Sequence, residues 1–312
     1  MKQRRFQNRV VESVFTLPIS AVFAALMWWF QGGFSKANML GLLFCALTAY
    51  IILETNNANA LIRVRTRLLS SLWLTSVACM GFLHTAIEPL FVTLCLSLSY
   101  SQLCRTYQRY DAAVQAFHAN LLLSVASLVF PPMLLLSVLY GIYFSVYMRC
   151  VNLRLVMASL LALLLPYWFW SGWCVWQLDF APLLSHLSAV VDFRIPTQEV
   201  YDQVSLPVIS AWALVNLLSV VGTIHYLRNR YDDKIKVRML LYVFVCQTVF
   251  FQIAVLLQPQ FIMFLLPMLM VSSNPLVAHY FALTGSWLSN LFFCLSLLLF
   301  VALAVISVWM PL

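Results

Sequence analysis

The chain has 312 residues, 63% of them hydrophobic and 9% charged, with a formal net charge of +8 and a mean hydropathy of +0.91. A soluble domain is about 45–50% apolar and about 25% charged, so this chain lacks the polar surface to cover a soluble globule and calls for lipid as its solvent. A soluble enzyme, a secreted disulfide scaffold and a nucleic-acid-binding domain are thereby excluded, and the basic balance reads as a signal of orientation.

The amino-terminal charges Lys2, Arg4, Arg5 and Arg9 lead into an apolar block with no small-x-small cleavage site, since Trp28, Trp29 and Phe30 stand where one would be needed. That block is expected to be retained as a helix. Continuous apolar runs, rather than alternating ones, exclude a β-barrel. In chain order the blocks are Ser13–Phe30, Asn38–Leu53, Leu68–Leu83, Pro89–Leu103, Ala116–Phe130, Met133–Met148, Leu155–Trp176, Pro207–Tyr226, Met239–Leu257, Phe261–Leu283 and Trp287–Trp309. They predict an all-α polytopic bundle of about eleven spans, with Pro131-Pro132 as the turn between the fifth and sixth. Asn274-Pro275 interrupts the tenth and is a candidate break into two half-helices, so the count ranges from nine to twelve. The whole chain reads as one integral membrane domain.

Charge tests this parse independently. With the amino terminus in the cytoplasm and alternating crossings, sixteen of the eighteen basic residues fall on the inner side, leaving only Lys36 and Arg194 outside. The eight cysteines lie in or at the ends of spans with no CxxC pair and no histidine grouping, so they read as small apolar packing residues; no disulfide, metal site or cofactor is expected.

Four places hold groups capable of chemistry. Glu54-Thr55-Asn56-Asn57-Ala58-Asn59 ends the second span and precedes Arg63, Arg65 and Arg67; the alternatives are a lipid headgroup contact, with the arginines on phosphate, and a solvated loop with an orientation signal. Between about 177 and 206, Phe180, Leu183, Leu184, Leu187, Val190 and Val191 recur at helical spacing, with Asp179 as N-cap and Pro182 in the first turn. This predicts an amphipathic helix on the outer membrane surface. It carries His186, followed by Asp192, Arg194, Glu199 and Asp202, which serve either as acid–base or ligand groups or to keep the loop soluble. The run from Arg228 to Arg238 reads as a salt-bridged, solvated connector, the alternatives being that its mixed charges tie neighbouring loops together or bind anionic lipid. Within spans, Asn216, Gln247, Gln252, Asn274 and Asn290 read as helix-joining amides, and His279 as the one titratable group near mid-depth.

The runs Arg4-Arg5-Phe6-Gln7-Asn8-Arg9, Glu54 to Arg63, Arg105-Thr106-Tyr107-Gln108, Ala126 to Phe130, Leu165-Pro166-Tyr167-Trp168, Asp233 to Leu240 and Ser273 to His279 resemble a family of polytopic inner-membrane proteins of Bacteroidota whose function is unknown. The resemblance covers nearly the whole chain. It implies a Gram-negative inner membrane and transfers no activity, but it marks Glu54, Asn56, Asn57, His186 and His279 for testing. Gln258 to Pro267 is similar to a late helix of lipid-dependent GT-C glycosyltransferases. Those enzymes place a catalytic acid in the first external loop, and Gln31 to Ala37 contains none.

The expected function is therefore a non-enzymatic scaffold or lipid-handling component of envelope assembly, its partners being the bilayer, a polyprenyl-linked or other lipid, and proteins of an envelope complex. One alternative is a GT-C-like transferase using polyprenyl-linked sugars, with Asp192, Glu199 or Asp202 as base and His186 beside them. Another is a carrier or flippase that moves at the interrupted tenth span.

Overall fold

A computed structural model of the chain describes residues 5–33, 35–193, 198, 201 and 203–309. Among them are thirteen α-helices and no strand. They are α1 (Phe6–Glu12), α2 (Thr16–Gly32), α3 (Lys36–Asn59), α4 (Leu68–Ala78), α5 (Ile87–Cys104), α6 (Ala113–Ser127), α7 (Leu136–Ile142), α8 (Leu153–Gln177), α9 (Ala181–Ser188), α10 (Leu206–Asn229), α11 (Ile235–Leu257), α12 (Ile262–Leu283) and α13 (Trp287–Trp309). Seven helical segments are long and apolar enough to cross a membrane, and an eighth is added if α1 and α2, bent by 93°, count as one. The chain is an α-helical membrane protein.

Each of the eleven apolar blocks is helical, but three are shorter than a full span. Leu68–Ala78, Ala113–Ser127 and Pro131–Tyr147 hold 10–17 residues each. The last is assembled from a 3₁₀ turn opened by Pro131-Pro132, helix α7 and a π turn.

The expected interruption of the tenth block is corrected: α12 runs unbroken through Pro267 and Pro275. A proline inside a helix removes one N–H and crowds the carbonyl four residues back, and in a membrane the freed groups must be satisfied by neighbours. Helix α12 is the most enclosed of the spans, and Asn274 Nδ2 donates to the Leu69 carbonyl of α4 at 2.8 Å. The surrounding helices enclose a sequence that reads as a break, and the helix stays continuous.

Packing divides the chain into two compact units, Met1–Leu90 with Pro196–Leu312, and Phe91–Ile195. In the first, α12 packs on α4, α10 and α11. Polar groups join the helices: Ser70 Oγ donates to the Ala49 carbonyl and Trp73 Nε1 to the Cys45 carbonyl, both buried, and half-buried Gln252 Nε2 donates to Ser219 Oγ. Gly222 of α10 sits so close to α12 that an added Cβ would lie 2.9 Å from Leu276 C and Val277 N. Only a residue without a side chain permits that approach.

In the second unit α6 lies along α8, bonded at one-turn intervals. Asn120 Nδ2 reaches Ser159 Oγ, Ser124 Oγ donates to the Leu163 carbonyl, and Ser127 Oγ meets Tyr167 Oη at 2.8 Å. Small polar residues at this spacing are a usual way of joining helices in lipid. The opposite face of α8 is exposed, with Leu161, Leu164, Trp168 and Trp176 among its side chains.

Candidate functional site

The contacts of the first unit sort its connections to two ends. At one end lie α1, the 60–67 segment, the 230–234 connector and the 284–286 turn. Thr66 Oγ1 donates to the Val11 carbonyl, and Gln7 of α1 is fixed on the far side by the Phe281 and Thr284 carbonyls and by Ser289 Oγ. At the other end Gly81 N–H donates to Ser307 Oγ, and the His84 ring stacks on Trp28 at 3.7 Å. The first end carries Arg5, Arg9, Arg63, Arg65, Arg67 and the basic run of the connector, and is called the basic end below.

A buried polar cluster closes this end. Asp233 and His279 side chains are fully enclosed, with Asp233 Oδ2 3.0 Å from His279 Nε2. Arg63 Nε stands 2.9 Å from Asp233 Oδ1, a close ion pair rather than an aligned hydrogen bond. A second guanidinium nitrogen is 3.7 Å from Asp232. The His225 ring lies 5.7 Å from that of His279, and Tyr226 is edge-on to His279 at 5.5 Å. Tyr226 Oη in turn donates to the Arg238 carbonyl.

The origin of the cluster is local. Gly222 brings α10 against Leu276 and Val277, so His225 and His279, each about one turn further on, become neighbours. The 3₁₀ turn Arg230–Asp232 then carries the chain back and leaves Asp233 pointing into the bundle. A carboxylate oxygen facing Nε2 is met by a proton on that nitrogen, so Nε2 is the donor of this contact. Nδ1 of His279 and of His225 are buried without hydrogen-bond partners among the described residues.

Several sequence expectations are relocated. Arg63 and His279, drawn from separate motifs, meet through Asp233. His279 is not near mid-depth: it lies four residues before the end of α12 and against the connector. The Glu54–Asn59 run is not a loop but the last turns of α3, closed by Ala60 in the left-handed conformation at φ 50°. Its helical geometry buries Thr55, Asn56 and Asn59 and exposes Glu54 and Asn57. The mixed charges of the connector do tie it to the 60–67 segment, through Arg63.

The segment expected to be external contains α9; Phe180 rather than Asp179 stands at its N-cap, Asp179 Oδ1 accepts the Ala181 N–H, and Pro182 is in the first turn. Leu183 turns inward while Leu184, Leu187 and Val191 are exposed. His186 also turns inward: Nε2 is 3.0 Å from the Ser127 carbonyl and 3.4 Å from Tyr167 Oη, with Trp170 edge-on to the ring. Burial holds its pKa below the ordinary histidine value, opposed by the Ser127 carbonyl. Asp192 is exposed, and Arg194, Glu199 and Asp202 lie outside the described residues.

Sequence reading missed Gln7, Gly222 and His225. Gly222 and His225 share a helix face, a spacing that marks a close helix contact but names no partner. Between α4, α10, α12 and α13 there is a cavity of about 40 Å³ beside Ser76, Ser273 and Asn274, enough for water but not for a lipid headgroup.

The fold and the cluster define a polytopic helical membrane protein with a polar closure at its basic end. Neither a protein-family model nor a curated protein matches the chain.

Proposed function

We propose that the protein is a non-enzymatic component of a Gram-negative inner membrane, a scaffold or lipid-handling subunit of envelope assembly. In this reading all eleven helical blocks cross, and the basic end faces the cytoplasm, as the concentration of arginine and lysine there favours. One observation carries the non-enzymatic part. Asp233 faces Arg63 with one oxygen and His279 with the other, so the buried carboxylate holds three segments together rather than facing a substrate.

Two measurements test the proposal. Reporter fusions after Arg67 and Arg238 are expected to give cytoplasmic signals, and one after Leu178 an external signal. Purification in mild detergent followed by mass spectrometry is expected to recover a stoichiometric protein partner or an unmodified lipid. Recovery and turnover of a polyprenyl-phosphate sugar would replace this reading with the transferase.

A further inference from the structure

We infer that the surface made by α1 and the 60–67 segment docks the phosphate headgroup of an anionic bilayer lipid, with Arg9 and Arg65 as its free charges. The inference rests on the reading of this end as a membrane boundary.

The surface is built and fixed. Helix α1 meets α2 at 93°, so when α2 crosses the bilayer α1 runs along its surface, as an interfacial helix does. Gln7 anchors α1 from beneath, its side chain donating to the Phe281 carbonyl at 2.6 Å while its N–H donates to Asn290 Oδ1. From the other side Thr66 Oγ1 holds the Val11 carbonyl and Arg67 Nη1 the Val14 carbonyl, at 2.8 and 3.2 Å. Burial of Thr66 between exposed Arg65 and Arg67 turns both arginines outward.

Its chemistry is that of a headgroup boundary. Phe6, Val14 and Phe15 are 52%, 60% and 71% exposed beside Arg5, Arg9, Arg65 and Arg67. Apolar side chains of this kind enter the acyl boundary while guanidinium groups take phosphate, for which their fork is matched. Three other cations of this end are engaged within the protein. Arg63 is on Asp232 and Asp233, and Arg230 and Arg238 lie over the Tyr231 ring. Arg9 and Arg65 have no ion pair among the described residues. The motif that pointed to Arg63 as a phosphate ligand therefore identifies the right segment, but the charges left for an anion are its neighbours.

The test uses the full chain in phosphatidylcholine vesicles carrying a trace of spin-labelled phosphatidylglycerol or spin-labelled phosphatidylcholine, with the motionally restricted fraction measured at low and high salt. The labelled anionic lipid is expected to be enriched at the protein, and less so at high salt. Arg9→Gln with Arg65→Gln is expected to remove the enrichment, each arginine accounting for about fivefold at low salt. The pair Arg9→Lys and Arg65→Lys should keep a large part of it, and Lys236→Gln should leave it unchanged. Equal association of the two lipids in the unaltered protein overturns the inference. So does an equal loss from Lys236→Gln, which would mean a diffuse field and no site. Alkaline extraction of the vesicles is read first: release of the chain would overturn the membrane-component reading itself and this inference with it, whereas retention without lipid preference overturns this inference alone.

Discussion

Asp233 Oδ2 and His279 Nε2 are 3.0 Å apart with both side chains fully enclosed, although 46 residues separate them. The pair fastens the connector before α11 to the last turn of α12, and Arg63 extends the fastening to the segment after α3. Removing one partner of a buried pair leaves the other without compensation and typically costs about 3–5 kcal/mol. Asp233→Ala and His279→Ala are each expected to lower the unfolding temperature in detergent by roughly 6–20 °C, at about 2–4 °C per kcal/mol. The double variant should lose clearly less than the sum, because the second change removes a group already stranded. Arg63→Gln should be milder, since its side chain is 42% exposed. Additive losses would show that the two residues act separately.

Two glycines should respond in opposite directions. A Cβ at Gly222 meets the α12 backbone, which cannot rotate away, whereas one at Gly172 of α8 meets nothing within 4 Å. Gly222→Ala is expected to destabilise by about 1–3 kcal/mol through overpacking. Gly172→Ala is expected to be neutral or to stabilise by up to about 1 kcal/mol, from better helix propensity. Thermal unfolding of the two variants side by side gives the comparison, and the same sign for both would contradict the close crossing of α10 and α12.

His84 supplies a pH dependence. Its ring is 1% exposed, and burial lowers its pKa to about 4 from 6.5, with the Val77 and Ala78 carbonyls opposing the shift. A lowered folded-state pKa means that protonation favours the unfolded chain. The contribution is complete above pH 6.5, falls away as the pH drops from 6.5 towards 4, and is gone below both values, at most roughly 3 kcal/mol in all. His84→Phe keeps a ring for stacking on Trp28 and has nothing to protonate. Its melting temperature should therefore fall less than that of the unaltered protein between pH 6.5 and 4; parallel curves would mean that His84 does not carry the effect.

Gln7 offers a test of the docking of α1. Its amide nitrogen lies within hydrogen-bonding distance of the Phe281 and Thr284 carbonyls, and its oxygen accepts from Ser289 Oγ. Gln7→Leu keeps most of the volume but strands those groups, at about 1–3 kcal/mol. Amide exchange across Phe6–Glu12 should quicken while exchange in α12 is little changed. Unchanged exchange in α1 would show that other contacts hold it.

The sequence alone determined the all-helical class and where the apolar helical segments lie, because apolar run length is a local property; of the eleven spans it predicts, seven, or eight with the bent pair, are long enough to cross. It also placed the short helix α9 with Pro182 in its first turn, but not its cap: Phe180 takes the N-cap position without a side-chain bond, and Asp179, one residue earlier, accepts the Ala181 N–H. What tertiary structure decided was every relationship between runs. Asn274-Pro275 has the composition of a break, yet α12 is continuous because its neighbours enclose it. Glu54–Asn59 reads as a loop by polarity, yet stays helical because one face of that turn is buried. Arg63 and His279 carry no sequence sign of each other: their meeting depends on the missing side chain at Gly222 and on the turn that points Asp233 inward. Local chemistry proposes such residues singly, and only the packing of distant helices determines which of them share a site.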